Sequence, residues 1–460
     1  MNQNANSPFD ENFYNSIKNE LFNDILPFWE KYSRDLRPGF EGFFGAIDNS
    51  GKPDLSLPRS IVMTARFLWT YSAVARYTKN PTFLEMADFA CKVIISKYWD
   101  FQNGGVYWSV FPDGRPCVSK KQIYGQAFCC YGLCEYAAAL KELREDRGGE
   151  RLPHAPAADA SCATPSNGGS APVTPPPLSE VAMNYALEIF RLLEKHAFDT
   201  FAGGYLEACA QDWTSTDDMM LSPKDMNCSK SMNTNLHVME AYTNLYRTLP
   251  VVFPDSKELR KEVGASLTSL VRITVKKILQ PNVHLGMYFD MNWKLLSDEI
   301  SYGHDIEASW LLWEAACELN DEELKSEIRG IVIHMAEIAL LEGFDNINGC
   351  MENYLRSETK GRVRDRTRVW WNQAESMNGF YNAWEMTGDS KFSDACLSQW
   401  NWILNNQKDK KGGEWWNEVD VNGIPVLSED KGGNWKTSYH NGRTCLEILQ
   451  RFFQKKLKNF

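Results

Sequence analysis

Apolar residues return every three or four positions through long proline-free stretches: 60–77, 181–196, 232–248, 306–319, 323–341, 373–387 and 443–453. That period predicts helices with a buried face, the stretch 373–387 tolerating one internal glycine. Between the helical stretches lie short pieces in which glycine precedes aromatic and acidic residues. They are Gly42-Phe43-Phe44-Gly45, Gly104-Gly105-Val106-Tyr107-Trp108, Gly203-Gly204-Tyr205-Leu206-Glu207, Gly286-Met287-Tyr288-Phe289-Asp290, Gly349-Cys350-Met351-Glu352 and Gly412-Gly413-Glu414-Trp415-Trp416-Asn417-Glu418. Strand signals are confined to these pieces. Their starts are separated by 62, 99, 83, 63 and 63 residues. A period of about 62 fits two helices of about 15–20 residues, their loops and one short extended piece. Six helix pairs in one chain can close on themselves, an inner ring within an outer ring. The predicted fold is therefore all-α, an (α/α)6 barrel with short β pieces in its loops, forming one domain over residues 1–460. An open solenoid is the alternative, but such arrays carry tighter and more uniform repeats.

The 99-residue gap has a visible cause. Residues 143–179 are rich in Pro, Ala, Ser and Gly. Such a composition cannot form a packed core and reads as a flexible surface insertion. Removing about 37 residues restores the period of about 62.

Charge and composition then narrow the function. Lys and Arg number 49 against 60 Asp and Glu, a net charge of −11. A nucleic-acid partner needs a surplus of cations on some face, so none is expected. No stretch of 18 uncharged apolar residues exists, and the start Met1-Asn2-Gln3-Asn4 has neither the charge nor the apolar run of a signal peptide. Twelve cysteines without a C-x-x-C pair indicate neither a disulfide scaffold nor a structural zinc site. A cytoplasmic protein without membrane contact, monomeric or weakly dimeric, is expected. Sixteen tryptophans mostly fill core; some suit stacking on the flat faces of a sugar.

Seven histidines are available. His154 falls in the insertion, His196 and His334 have ordinary helical surroundings, and His284 precedes the fourth glycine piece. His304, in Tyr-Gly-His-Asp-Ile-Glu, opens a predicted helix, and His440, in Ser-Tyr-His-Asn-Gly-Arg, stands just before one. The positive end of a helix disfavours imidazolium, so both should be neutral, the state a general base requires. His237 belongs to a stripe with Asn233, Glu240 and Asn244 at spacings of four, three and four, on one face of an otherwise apolar helix without Lys or Arg. Arg66 shares a face with Val62, Trp69 and Ala73, and is either snorkelling or placed for a ligand. Trp371 and Trp435 stand beside polar groups just ahead of helices, where loops gather at one mouth of a barrel. No zincin pairing, calcium loop, phosphate loop, dinucleotide fingerprint or nucleophile elbow occurs. The residues point to histidine acid/base chemistry on a carbohydrate, with no metal and no cofactor.

Several blocks in order are similar to cellobiose 2-epimerases, within the N-acylglucosamine 2-epimerase superfamily. They are Met232-Asn233-Thr234-Asn235-Leu236-His237-Val238-Met239-Glu240-Ala241, Gly303-His304-Asp305-Ile306-Glu307, Trp370-Trp371-Asn372-Gln373-Ala374-Glu375, and Asn434-Trp435 with Tyr439-His440-Asn441-Gly442-Arg443. The resemblance runs from about residue 12 to 450 outside the insertion. It departs from the family at Asn235, where a histidine is usual. It implies the (α/α)6 barrel and epimerisation at C2 of the reducing-end glucose of β-1,4-linked disaccharides such as cellobiose, mannobiose and lactose. It also implies His304 and His440 as the acid/base pair. Arg66, Asn233 and His237 would bind the open-chain sugar and assist ring opening. Tyr124 and Glu307 would hold hydroxyls, and Trp371 and Trp435 would stack on the rings. An aldose–ketose isomerase or monosaccharide epimerase of the same superfamily would use the same histidines. A glycoside hydrolase on the same barrel would instead need two carboxylates, for which Asp305, Glu307, Glu375, Glu414 and Glu418 are candidates. A sugar-binding protein without catalysis would leave the paired histidines idle.

Overall fold

The computed structural model describes residues 7–144, 176–358 and 361–458, with side chains to Lys455. The chain opens with α1 (Glu11–Glu20) and α2 (Leu26–Tyr32), joined by a π-turn. Inner and outer helices then alternate: α3 (Ile61–Thr78), α4 (Leu84–Val93), α5 (Ile123–Leu143), α6 (Leu178–His196), α7 (Met232–Val252), α8 (Lys257–Ile273), α9 (Tyr302–Leu319), α10 (Glu322–Ile338), α11 (Trp370–Thr387), α12 (Ser390–Trp402) and α13 (Tyr439–Lys458). The odd-numbered helices from α3 to α13 touch in a closed cycle, α13 returning to α3, while each even-numbered helix from α4 packs on the preceding inner one. Helix α1 covers α13, so the sixth pair joins the two ends of the chain. This is an (α/α)6 barrel. Among the described residues, no helix is long and apolar enough to cross a membrane.

The inner helices are buried on nearly every side, α5 from Ile123 through Leu140. An all-round apolar helix has little periodicity, and α5 also carries Gly125 and Gly132, so the sequence pattern misses it. Gly132 is required by packing: a Cβ there would lie 2.8 Å from the Ala65 carbonyl oxygen of α3. The pattern also misses α1, α2, α4, α8 and α12. The helices α5 and α6 reach into both ends of the 143–179 insertion, of which residues 145–175 lie outside the described ones.

The π-turn Leu21–Ile25 runs on from α1 into α2, whereas four outer helices end in one: Ile94–Tyr98, Thr274–Ile278, Ala339–Gly343 and Ile403–Gln407. The glycine turn follows, and then a two-residue strand leads into the next inner helix. Gly104, Gly203, Gly349 and Gly413 hold φ between 73° and 78° in this turn, a region other residues avoid. The fourth turn departs from the sequence-based assignment. Its left-handed position is Val283, at φ 67°, three residues before the predicted Gly286. The strand register identifies it, since Leu279 pairs with Leu285 as Trp99 pairs with Val106 and Phe198 with Tyr205. A hairpin, Tyr354–Glu358 with Gly361–Asp365, was also not predicted; its strands carry charges on both faces.

A buried ion pair ties most helix starts to the preceding turn. Lys121 Nζ lies 2.9 Å from Asp100, Lys230 Nζ 2.6 Å from Asp199 and Arg368 Nη2 2.7 Å from Asp345, and Arg59 meets Asp35 and Lys431 meets Asp409. Removing one member of such a pair leaves an uncompensated buried charge, at a cost of about 3–5 kcal/mol. A side-chain amide at the fourth position of three inner helices adds a second tie: Gln126, Asn235 and Gln373 each bond the backbone N–H and C=O of the turn below. Asn235 bonds Tyr205 in this way, which gives the departure from the family's histidine a structural role.

Candidate active site

The starts of the inner helices converge at one mouth. Serine precedes four of them: Ser60, Ser231, Ser301 and Ser438 stand before α3, α7, α9 and α13. Ser60 and Ser231 cap α3 and α7 by accepting the Met63 and Thr234 N–H groups, each at 3.1 Å. Ser301, in the same place before α9, makes no cap bond; its Oγ lies 2.7 Å from Nδ1 of His304. His304 thus has a hydroxyl, and no carboxylate, as its hydrogen-bonding partner. Desolvation, with His237 nearby, lowers it to about 3.

His440 is the second residue of α13, inside the helix rather than just before it. Its Nδ1 lies 2.6 Å from Oε1 of Glu375, and the same oxygen accepts from Arg443 Nη2 at 2.7 Å. An oxygen already bonded by a guanidinium acts as an acceptor, so Nδ1 carries the proton and Nε2 keeps its lone pair. Burial and the facing Arg66 and Arg443 cations push His440 well below the usual imidazole range. His237 is arranged likewise. Its Nδ1 is 2.7 Å from Oε2 of Glu240, while Tyr439 and Arg443 bond the other oxygen. Burial opposes ionisation of Glu240, but Arg443 and His237 outweigh it and hold the carboxyl at about 2. Desolvation lowers His237 as well. All three imidazoles are neutral near pH 7.

Arg443 stands at the centre of the carboxylates, bonding Glu240, Glu307 (2.7 Å) and Glu375. Burial and the neighbouring Glu375 raise Glu307 well above the carboxylate range. Glu307, Glu375 and His440 bring ligand atoms within 4.8 Å of one another, a separation that could hold a cation, but the guanidinium already supplies the positive charge. No sequence motif announces Arg443, Glu375 or Tyr439 as a network. Only the i, i+3 spacing of His237 and Glu240 gave a signal.

Arg66 is buried, donating to the Trp435 carbonyl oxygen at 2.7 Å and to the Tyr124 hydroxyl at 3.0 Å, with its cation over Phe128 and Tyr439. It does not snorkel. Its Nε, Asn233 Oδ1 and Glu307 Oε2 make no hydrogen bond among the described residues. The Trp371 ring stands 4.6 Å from His304 and 5.8 Å from His440, and Trp435 and His237 lie 5.9 Å and 5.0 Å from Tyr124. All nine predicted site residues thus gather at the mouth. A cavity of about 330 Å³ opens beside them, lined by His304, Asn233 and Trp371 together with Glu207, Asp225, Glu299 and Tyr354. That volume falls in the range of small-molecule sites, about 300–1,000 Å³. A larger open groove of about 720 Å³ runs along α8 on the outer wall, away from this chemistry. Four other indoles are structural: Trp213 and Trp293 donate to backbone carbonyls of the glycine turns, and Trp29 and Trp415 to buried glutamates.

The model of the N-acylglucosamine 2-epimerase family matches residues 42–162 and 177–443. The cellobiose 2-epimerase of Bacteroides fragilis is 36% identical over 444 residues, covering 96% of this chain and 99% of that one. That of Dictyoglomus turgidum is 31% identical, covering 95% and 98%. The solved structure of the cellobiose 2-epimerase from Bacillus thermoamylovorans B4167 superposes with a TM-score of 0.79 at 31% identity, over 96% of this chain and all of that one. With an (α/α)6 barrel, neutral histidines at its mouth and these relatives along nearly its whole length, the chain belongs to the N-acylglucosamine 2-epimerase family of carbohydrate epimerases.

Proposed function

We propose that the protein inverts C2 of the reducing-end glucose of β-1,4-linked disaccharides, cellobiose above all, with mannobiose and lactose as related substrates. The observation that carries this reading is the pair of neutral imidazoles, His304 and His440, both beside the Trp371 ring. The C2 proton is acidic only next to a carbonyl, so the pyranose must first open; His237, Arg66 and Asn233 assist that step. One histidine then removes the C2 proton. Arg66 and the buried donors hold the O1 charge of the cis-enediolate in a dry site where such contacts are strongest. Rotation about C2–C3 presents the other face, and the second histidine returns a proton. A base held so low takes a proton only as negative charge develops beside it, which confines proton transfer to the bound sugar.

Tyr124 and Glu307 hold hydroxyls, Trp371 and Trp435 stack on the rings, and the cavity beyond His304 receives the second sugar. No cofactor enters this scheme. The carboxylate arrangement disfavours hydrolysis, because Glu240, Glu307 and Glu375 all converge on one guanidinium rather than flanking a glycosidic bond. Proton NMR of cellobiose incubated with the protein in D2O tests the reading. Deuterium should enter C2 as glucosyl-mannose accumulates, with no free glucose. Free glucose, or a ketose as the main product, would overturn it.

A further inference from the structure

The six repeats differ in how they hold their inner helix, and the exception is the one that delivers His304. Five join an aspartate of the turn to a cation on or beside the following strand: Asp35–Arg59, Asp100–Lys121, Asp199–Lys230, Asp345–Arg368 and Asp409–Lys431. In the fourth repeat both partners are replaced together. The pairing of Leu279 with Leu285 puts Gln280 where Asp100 stands, and Ile300, the first residue of its strand, takes the place of Lys121. The turn is one residue shorter there, and a β-branched residue, Val283, occupies the left-handed position filled by glycine in four other turns.

That strained turn carries His284. The imidazole is buried, with Nδ1 2.7 Å from Asp305 Oδ2 and Nε2 3.2 Å from Glu342 Oε2. The other oxygen of Asp305 accepts the Leu285 N–H at 2.8 Å. Asp305 is the fourth residue of α9, where Gln126, Asn235 and Gln373 make uncharged amide clamps in their own helices, and it is the immediate neighbour of His304. The five other ties pair an aspartate with a lysine or arginine; this one contains an imidazole.

We propose that His284 is a positioning residue for His304: its imidazolium, gripped between Asp305 and Glu342, fixes the first turn of α9, so the aim of the His304 ring depends on the protonation of His284. The groups facing it are Asp305 of α9, Glu342 of the π-turn after α10, the Tyr302 ring, and Arg364 of the hairpin, which bonds the Glu342 backbone and Glu352. Burial opposes the imidazolium, but the Asp305 and Glu342 carboxylates outweigh it and raise His284 above its ordinary value. The sign follows. A raised group keeps its tie below the ordinary imidazole value and loses it as pH climbs through the raised one, so turnover should fall on the alkaline side.

This inference rests on His304 acting on the sugar, and its test separates the two. In the full-length protein, an NMR titration of labelled imidazoles should show the His304 signals moving with the titration of His284, a readout that needs no turnover. With cellobiose, wild-type kcat should fall about tenfold across that titration and then level off, while KM stays near constant. His284→Gln should lower kcat about tenfold and remove the alkaline limb. Adding Gln280→Asp and Ile300→Lys, which installs the tie of the other repeats, should restore kcat without restoring the limb. His304 signals indifferent to the titration of His284 would overturn the inference, as would a His284→Gln protein with wild-type kcat and an intact limb. Should these variants not fold, the wild-type titration decides alone. Full activity in His304→Asn would remove the catalytic reading of His304 while leaving the imidazole coupling measurable.

Discussion

The starts of α9 and α13 both present a neutral histidine to the same ring of Trp371, yet they are built differently. His440 is backed by a glutamate that also holds a guanidinium, within a buried network reaching Glu240, Glu307 and Tyr439. His304 is backed by one serine hydroxyl, released from the capping duty its counterparts perform at α3 and α7. The difference teaches that neutrality and basicity are set separately. Desolvation makes both rings neutral, whereas the partner on Nδ1 decides how readily each accepts a proton from carbon. A carboxylate-backed imidazole stabilises its own cation; a hydroxyl-backed one does so far less.

The most severe way to break the comparison is to remove either ring. His304→Asn and His440→Asn should each lower net epimerisation about 10²–10⁴-fold, the usual worth of a general acid or base. Each variant should still exchange the C2 proton of one epimer in D2O, and the two should label opposite epimers. A variant that still interconverts the epimers at the wild-type rate would end the two-base scheme. Glu375→Gln comes next. It removes the negative charge behind His440 and one anion from Arg443, so exchange on the His440 face should slow about 10–100-fold while the His304 face changes less. Deuterium incorporation into each epimer separately measures this. Ser301→Ala should slow only the His304 face, about fivefold, for the loss of one neutral hydrogen bond. Its melting temperature should stay near wild type, because Ser301 caps nothing.

The smallest effect is expected far from both histidines. Replacing residues 146–174 by a short Gly/Ser bridge should leave activity within a few-fold, because loop closure depends weakly on length. The cut retains Arg144, which is paired with Asp88 at 2.6 Å, and Leu178, where α6 begins. Loss of soluble protein or of most activity would show that the insertion packs against the barrel.

Much of this comparison was legible before the structure. His304 and His440 announced themselves by standing at helix starts, and His237 by a polar stripe too free of cations for a solvated face. The repeat count was legible because glycine fills the left-handed position in four of the turns. That signal slipped at the fourth repeat, where Val283 takes the position and the reading moved to Gly286. The network behind His440 was not legible, since Glu240, Glu307, Glu375 and Arg443 come from four helices and only barrel closure brings them to one point. Helix α5 was invisible for the opposite reason: it is apolar all round, so its sequence has no face to read.

The pairing of α1 with α13 gives the chain a particular biography during synthesis. Glu20 accepts from the Trp415 indole, a partner 395 residues later, and Trp29 reaches Glu414 across a comparable span. While a ribosome is still reading the intervening repeats, α1 has no inner helix to lie against and the ring stands open at one seam. Contacts of such separation form late, and they are slow to find. His440 sits on the element that closes the seam, next to the partners of α1. The nascent chain can therefore stack five helix pairs and still have no reactive centre, which is assembled only when the ring shuts.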